Sequence, residues 1–299
     1  MLAPGHDPDS GPRPAAGKHP DLIYDVGMHR GEDADFYLKK GFRVIGVEAD
    51  PELAQHCRKR FEPQIQAGRL TLVEGAVVDP ETIRTPGQTI SFYSNLDQSV
   101  WGTAIPNWAR RNEGSGTRIS EVRVRALGFG DVLARYGIPY FMKVDIEGAD
   151  RFCLEALLPF DVKPDYLSIE SETVDSGRAW AELDLLERLD YTDFQVVQQA
   201  WVPRQAPPNP SREGVYVDFR FEPGASGLFG KELPDSWAKR DEMSAVYRSI
   251  LRRERYFGSA SIFRKNRLGR KALALLRKVS GHPLPGWYDT HARHRSAAI

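Results

Sequence analysis

The sequence predicts an α/β fold: a mostly parallel sheet with helices on both faces, an antiparallel hairpin at one edge, and a basic helical C-terminal extension. Three observations carry this expectation. From Asp21 onward short apolar runs alternate with helical patterns, the order that yields parallel strands joined by crossover helices. The chain has 299 residues, 41% of them apolar and 27% charged, enough for one large domain around a buried core. Two final strand-like runs are separated by a proline-rich loop with no helix between them, which is the pattern of a hairpin.

Taken in order, residues 1–20 are rich in proline and glycine and contain no apolar stretch of signal-peptide or membrane length. They read as a disordered lead-in. "LIYDVG" is the first strand, with a helix over Glu32 to Lys40. "RVIGVEAD" is the second, after which Asp50 as N-cap and Pro51 at the first helical position start a helix that runs through Phe61. "RLTLVEGAV" is the third strand. Residues 89–126 form an insertion, two strand-like runs around an aromatic, glycine-rich middle, and read as a substrate-binding hairpin. "YFMKVD" is the fourth strand, with a helix from Ala149 to Leu158, and "DYLSIE" the fifth, with a helix over "AWAELDLLERL". "FQVVQQ" and "GVYVDFRF" form the edge hairpin. The domain therefore spans 21–222 and the extension 223–299.

Lysine plus arginine and aspartate plus glutamate both number 41, so no bulk attraction to nucleic acid is expected. Cys57 and Cys153 fall inside predicted helices and suggest neither a disulfide framework nor a zinc site. With no targeting segment, the cytoplasm is the default compartment. The charge is unevenly placed: Lys239 to Lys278 holds thirteen basic residues against Asp241, Glu242 and Glu254. Helices are expected near Asp241 to Tyr256 and Asn266 to Val279. This stretch suits an anionic membrane or glycolipid surface, which would bring the acceptor to the site, or else the acidic body of the same chain. The aromatic "GWYDTHA" near the end is expected to fold back toward the site, and a homodimer is compatible with all of this.

The loops at the carboxyl ends of the strands carry the function, because ligands of open α/β sheets bind there. "DVGMHRGED" (residues 25–33) lacks the G-x-x-x-x-G-K-[ST] of a P-loop, and His29 breaks a G-x-G-x-x-G dinucleotide fingerprint. What remains is D-x-G-x-x-x-G, with Glu48 ending the second strand. A carboxylate at that place suits the vicinal hydroxyls of a ribose, while Asp25 repels phosphate and suits an ammonium group. A ligand with ribose, adenine and a cationic amino-acid tail is S-adenosylmethionine. "EGA" after the third strand and "DIEG" after the fourth lie at the same edge.

Together, "DVGMHRGED", "VIGVEADP", "LVEGAVVD", "FMKVDIEGAD" and "LSIE" resemble the FkbM-type family of S-adenosylmethionine-dependent methyltransferases over roughly residues 21 to 222. "KVDIEGAD" is the most specific piece. The resemblance implies the Rossmann-like class I methyltransferase fold, an enzyme of class 2.1.1, and a hydroxyl acceptor on a carbohydrate, glycoconjugate or polyketide-type product. It places Asp25, Gly27 and Gly31 around the methionine end, Glu48 on the ribose, and Ala49, Glu74, Gly75 and Ala76 along the adenine, while Asp145 is itself a candidate to bind the cofactor's ammonium group. Family members often have Asn where His29 stands.

Methyl transfer is an in-line displacement that needs an oxygen held opposite the sulfur. A sugar hydroxyl is nearly as weak an acid as water, whose pKa is about 15.7, so a group must take or polarise its proton. Asp145, Glu147, His29 and Glu170 are the candidates. Alternatively Asp145 and Glu170, on adjacent strand ends, ligate Mg²⁺ or another divalent cation that acidifies the acceptor. Tyr93, Trp101 and Trp108 form either a sugar platform or the core of the inserted hairpin, and Asn95, Gln98 and Asn107 are candidate hydroxyl readers. The rival functions are N-methylation of an amino sugar and a binding protein on the same fold without turnover.

Overall fold

The computed structural model describes residues 17–114, 116–171, 173, 175–257 and 286–297, apart from the side chains of 111, 112 and 114. The chain opens with β1 (Lys18–Val26), α1 (Glu32–Lys39), β2 (Arg43–Glu48), α2 (Pro51–Arg60), α3 (Glu62–Gln66) and β3 (Leu70–Glu74). β4 (Ala76–Val77) follows, and the insertion supplies β5 (Thr89–Asn95), α4 (Pro106–Gly114) and β6 (Ile119–Leu127). Then come α5 (Phe129–Tyr136), β7 (Ile138–Val144), α6 (Asp150–Glu155), β8 (Tyr166–Glu170), α7 (Ser176–Arg188), β9 (Tyr191–Gln198), α8 (Arg240–Phe257) and β10 (Tyr288–His294).

Among the described residues seven strands form one sheet in the order β3-β2-β1-β7-β8-β10-β9. β1, β2, β3, β7 and β8 run parallel, and β10 is antiparallel to both β8 and β9. This is the expected α/β arrangement, and the strand order reverses between β1 and β7, where such sheets bind ligands. Alternate residues of each strand face opposite layers. Tyr24, Val26, Met142 and Leu167 pack against α5, α6, α7 and α8. Ile23, Phe141 and Tyr166 face α1 and the aromatic segment around Phe221 and Phe229. A smaller sheet, β4-β6-β5, stands beside the main one.

Local chemistry accounts for the helix starts. The Asp50 carboxylate accepts from the Glu52 amide at 2.8 Å and the Leu53 amide at 3.4 Å, and Pro51 occupies the first turn, so α2 begins where its cap dictates. Asp175 caps α7 in the same way through Gly177 and Arg178. Cys57 and Cys153 are buried, free thiols within α2 and α6.

Three expectations are corrected. "GVYVDFRF" is not a strand: Phe219 and Phe221 of this run lie with ring centroids 4.9 Å from Phe36 of α1. The partner of β9 is β10, drawn from the "GWYDTHA" region, which folds back as expected but as an internal strand of the sheet. The region after 222 is therefore no appendage. α8 buries Met243, Tyr247 and Ile250, and the Tyr247 hydroxyl hydrogen-bonds Thr290 of β10. The second basic helix expected at 266–279 lies outside the described residues. At the other end, Lys18 to Pro20 belong to β1 rather than to a lead-in.

Since β10 lies between β8 and β9, removing the chain after Phe257 takes an internal strand out of the sheet. We expect that truncation to abolish the cooperative thermal transition and the near-ultraviolet circular dichroism of the full chain. A truncated protein with an unchanged, cooperative melt would contradict the strand order.

Candidate functional site

At the β1 end, Asp25 is completely buried and faces Lys143 of β7, whose Nζ lies 3.3 Å from Asp25 Oδ1. The same ammonium donates to the Gly27 carbonyl at 3.0 Å and approaches Asp33 at 3.7 Å and Asp145 at 3.9 Å. Burial works against its charge, yet Asp25, Asp145, Asp33 and Asp289 hold the Lys143 ammonium well above its ordinary value. Burial likewise raises the Asp25 carboxyl to about 7, against the pull of Lys143 and with the push of Asp33. Asp33 is fixed by the amides of Ser226, at 3.0 Å to each oxygen, and Gly227.

Gly27 has φ +82°, and a Cβ there would stand 1.9 Å from the Asp145 carbonyl oxygen. The loop after β1 thus lies directly on the loop after β7, which only a residue without a side chain permits. Gly31 caps α1 at φ +80° and makes room for the Phe61 ring instead of lining the cleft. Glu48 ends β2 with its carboxylate turned inward, accepting the His29 amide at 2.7 Å and the Asp50 amide at 2.8 Å. Burial pushes this carboxyl up to about 7 although both amides pull it down. One lone pair on each oxygen stays available for a further donor.

His29 adopts φ +52°. Its Nδ1 is 3.0 Å from Glu32 Oε1 and its Nε2 is 2.8 Å from Ser99 Oγ. Both ring nitrogens are engaged, so His29 acts here as a tie between the β1 loop and the insertion. Two further ties close the same side: Thr103 Oγ1 donates to the Glu147 carbonyl at 3.0 Å, and Gly148, at φ +94°, lies under the Trp108 indole. Arg178 stacks 5.8 Å from the Trp108 ring, within cation–π range. Asn95 is occupied within its own turn, by the amides of Asp97 and Gln98 and by Thr117. It is no hydroxyl reader.

Between these loops is a cleft that opens to solvent. Gly27, His29, Glu48, Ala49, Gly75, Ala76, Lys143, Asp145 and Glu147 line it, and Val47, Leu53, Val77 and Phe92 give it an apolar wall. Glu74, expected beside them, instead pairs with Arg58 outside the cleft. On the far side Asp145 has a side chain 38% exposed, and Glu170 stands opposite Asp289 across β8 and β10. Burial, reinforced by Glu147, Asp145, Asp150 and Asp289, holds the Glu170 carboxyl well above its ordinary range. Asp150 accepts the Ile146 and Gly148 amides, and burial together with the Asp145 charge raises it to about 6.

The metal expected at Asp145 and Glu170 is not supported: among the described residues no group of three or more His, Cys, Asp or Glu is arranged to hold one. Lys143, Asp33 and Asp289 were not foreseen from the sequence. A lysine inside the apolar run "YFMKVD" was the available signal, since lysine is almost never fully buried without a partner.

The family model of the Methyltransferase FkbM domain matches residues 25–196, more than half of the chain. A probable ribosomal RNA small subunit methyltransferase A from Haloarcula marismortui is 36% identical over 74 residues, 25% of each chain. The chain thus spans a quarter of the length of that curated relative. An FkbM methyltransferase structure from Methylobacillus flagellatus is 19% identical with a TM-score of 0.35, over 60% of this chain and 40% of that one. Precorrin 8W decarboxylase from Methanobacterium thermoautotrophicum is 12% identical with a TM-score of 0.34, over 61% and 70%.

Gly27→Ala tests the contact between the two loops against Gly41→Ala as control. Gly41 has φ +101°, and a Cβ added there would meet nothing within 4 Å, so that variant carries only backbone strain, about 1–2 kcal/mol. Denaturant unfolding should show a clearly larger loss for Gly27→Ala. Equal losses would mean that the loops yield freely.

Proposed function

The chain belongs to the FkbM methyltransferase family, and from that premise we propose that it is an S-adenosylmethionine-dependent O-methyltransferase acting on a carbohydrate, glycoconjugate or polyketide-type hydroxyl. The observation that supports this best is the Glu48 carboxylate. It is fixed by two backbone amides at the floor of the cleft, with acceptor capacity left over for a vicinal diol. The other residues fit the same group. Val47, Leu53, Val77 and Phe92 offer an apolar slot for a flat base. Gly27 keeps the loop after β1 against the loop after β7, and the Asp145 carboxylate at the cleft, with Asp25 buried beside Lys143, favours positive charge there.

When bound, S-adenosylmethionine supplies an electrophilic methyl on a sulfonium. The chain's own part is to orient and to deprotonate. Asp145 reaches the open side of the cleft next to Glu147 and Glu170 and is placed to accept the proton that the acceptor hydroxyl loses as its new O–C bond forms. Lys143 keeps the Asp145 loop and the Gly27 loop at fixed separation, so the oxygen and the methyl meet in line. His29, through Ser99, and Thr103, through the Glu147 carbonyl, hold the insertion over the cleft and limit the entry of water.

Glu48→Ala should weaken S-adenosylmethionine binding tenfold or more by calorimetry, because hydrogen bonds to a charged group contribute roughly 1.5–3 kcal/mol each. Unchanged affinity in a folded variant removes the ribose assignment.

The raised carboxyls also set a pH dependence. Asp25 and Glu48 titrate at about 7 in the folded chain, above the ordinary 3.8 and 4.5. They favour the folded state below those ordinary values, and this contribution is lost as pH rises through about 7. A cationic ligand prefers them ionised. Affinity should therefore climb as pH rises from about 5.5 to about 7 and then level off, with proton release seen as buffer-dependent binding enthalpy. A flat profile would show that neither carboxyl changes state on binding.

A further inference from the structure

The main sheet carries two polar rows on one face, at the edge where the cleft opens. In the inner row Asp25, Lys143, Ser168 and His291 are direct neighbours across β1, β7, β8 and β10. Two residues farther toward the edge, on the same face, come Asp145, Glu170 and Asp289, with Glu170 and Asp289 directly opposite each other. Glu147, from the loop after β7, and Asp150, at the start of α6, join them, 9% and 7% exposed. Five carboxyl groups thus share one edge. Lys143 approaches Asp145 of this group and divides its charge with Asp25 and Asp33.

A second observation is independent of the acids. Among the described residues, Ser168 Oγ and both ring nitrogens of His291 make no hydrogen bond, although each residue is only 1% exposed. Buried polar atoms are normally paired, so this face keeps polar capacity beyond what the chain itself satisfies. Of these carboxyls Asp145 and Glu147 line the cleft itself, and Glu170 is close enough to both to feel their charge.

We propose that the acceptor carries a protonated amine close to the hydroxyl that is methylated, and that Glu170 and Asp289 recognise this amine. The inference rests on the O-methyltransferase reading above and narrows its substrate class. An ammonium donates three hydrogen bonds and accepts none, which matches a group of acceptors that outnumbers the cations beside it. The same carboxylates keep the amine protonated. A protonated amine has no lone pair with which to attack the methyl, so it serves as a handle and the neighbouring hydroxyl is the nucleophile. The balance is then simple: the acceptor O–H bond breaks and its proton goes to Asp145, the oxygen forms the new bond to the methyl, the S–CH₃ bond breaks with its electron pair left on sulfur as S-adenosylhomocysteine, and the ammonium is unchanged.

A matched pair of probes tests this in the full chain saturated with S-adenosylhomocysteine: a chitosan tetrasaccharide, with free amines, and the chitin tetrasaccharide, with the same amines acetylated. Calorimetry should show the amine form binding at least about tenfold more tightly at 0.1 M salt. That preference should shrink toward 1 M salt, as screening shortens from about 10 Å to about 3 Å. Glu170→Gln should remove most of the preference, and so should Asp289→Asn as a second variant should the first not fold. Equal or absent binding of the amine form, or a preference that survives both substitutions, overturns the proposal, the latter by showing mere attraction of a polycation elsewhere. S-adenosylhomocysteine binding is read in the same titrations: its absence would sink the methyltransferase site itself, whereas its presence with no amine preference sinks this inference alone.

Discussion

A buried ammonium is the constraint around which the rest of this molecule is arranged. Lys143 stands where strand order reverses between β1 and β7, the place where an open α/β sheet leaves a crevice. A lysine there is costly unless partners surround it. Its partners come from separate parts of the chain: Asp25 and the Gly27 carbonyl from β1 and its loop, Asp33 from α1, and Asp145 from its own strand end. Asp33 in turn is held by the amides of residues 226 and 227. One charge thus draws a helix, two loops and a segment almost two hundred positions away into fixed relation, and the cleft is the space they leave.

The loops themselves store strain where function needs closeness. His29 and Glu147 both have positive φ without being glycine, a conformation that costs about 1–3 kcal/mol and persists only where the surroundings dictate it. They bound the cleft from opposite sides, and each is fixed by the insertion, through Ser99 and Thr103. The glycines make the complementary contribution. Gly27 admits the Asp145 carbonyl and Gly148 admits the Trp108 ring, so backbone meets backbone and ring where any side chain would intervene. The insertion is therefore a wall of the cleft as well as a candidate acceptor surface.

The legible part of this design was local. Asp50 with Pro51 marked the start of α2, and the chain does begin a helix there because the cap physics involves neighbours in sequence. The strand-end motifs were equally readable: "DVG", "VEAD" and "DIEG" lie along one edge because the strands that carry them are parallel. What escaped depended on distant partners. β10 is written in polar residues, yet Asp289, Thr290 and His291 are 5% exposed or less. Alternation of polar and apolar residues cannot reveal a strand covered on both faces. "GVYVDFRF" shows the converse, a run with strand periodicity whose aromatic face packs on α1 while β10 occupies the place beside β9. Glu74 was assigned from its position at a strand end, but a side chain's direction is decided by its partner, here Arg58.

The polar character of β10 links stability to chemistry. A strand inserted between β8 and β9 would ordinarily be apolar, since both faces are covered. Here one side chain, Ala292, joins the apolar layer, while Asp289 and His291 face the layer of Lys143 and Ser168. Thr290 meets Tyr247 of α8 and Ser171 after β8 through hydroxyl contacts. A chain selected for packing alone would place valine or isoleucine at these positions. Acid and imidazole instead occupy the layer of Lys143 and Ser168, so on the proposed reading the strand that completes the sheet also supplies a charge that recognises the acceptor. The acceptor environment can thus form only when the last strand has docked. On that reading closure of the fold is coupled to assembly of the site, because Asp289, on the last strand, stands directly opposite Glu170 of β8.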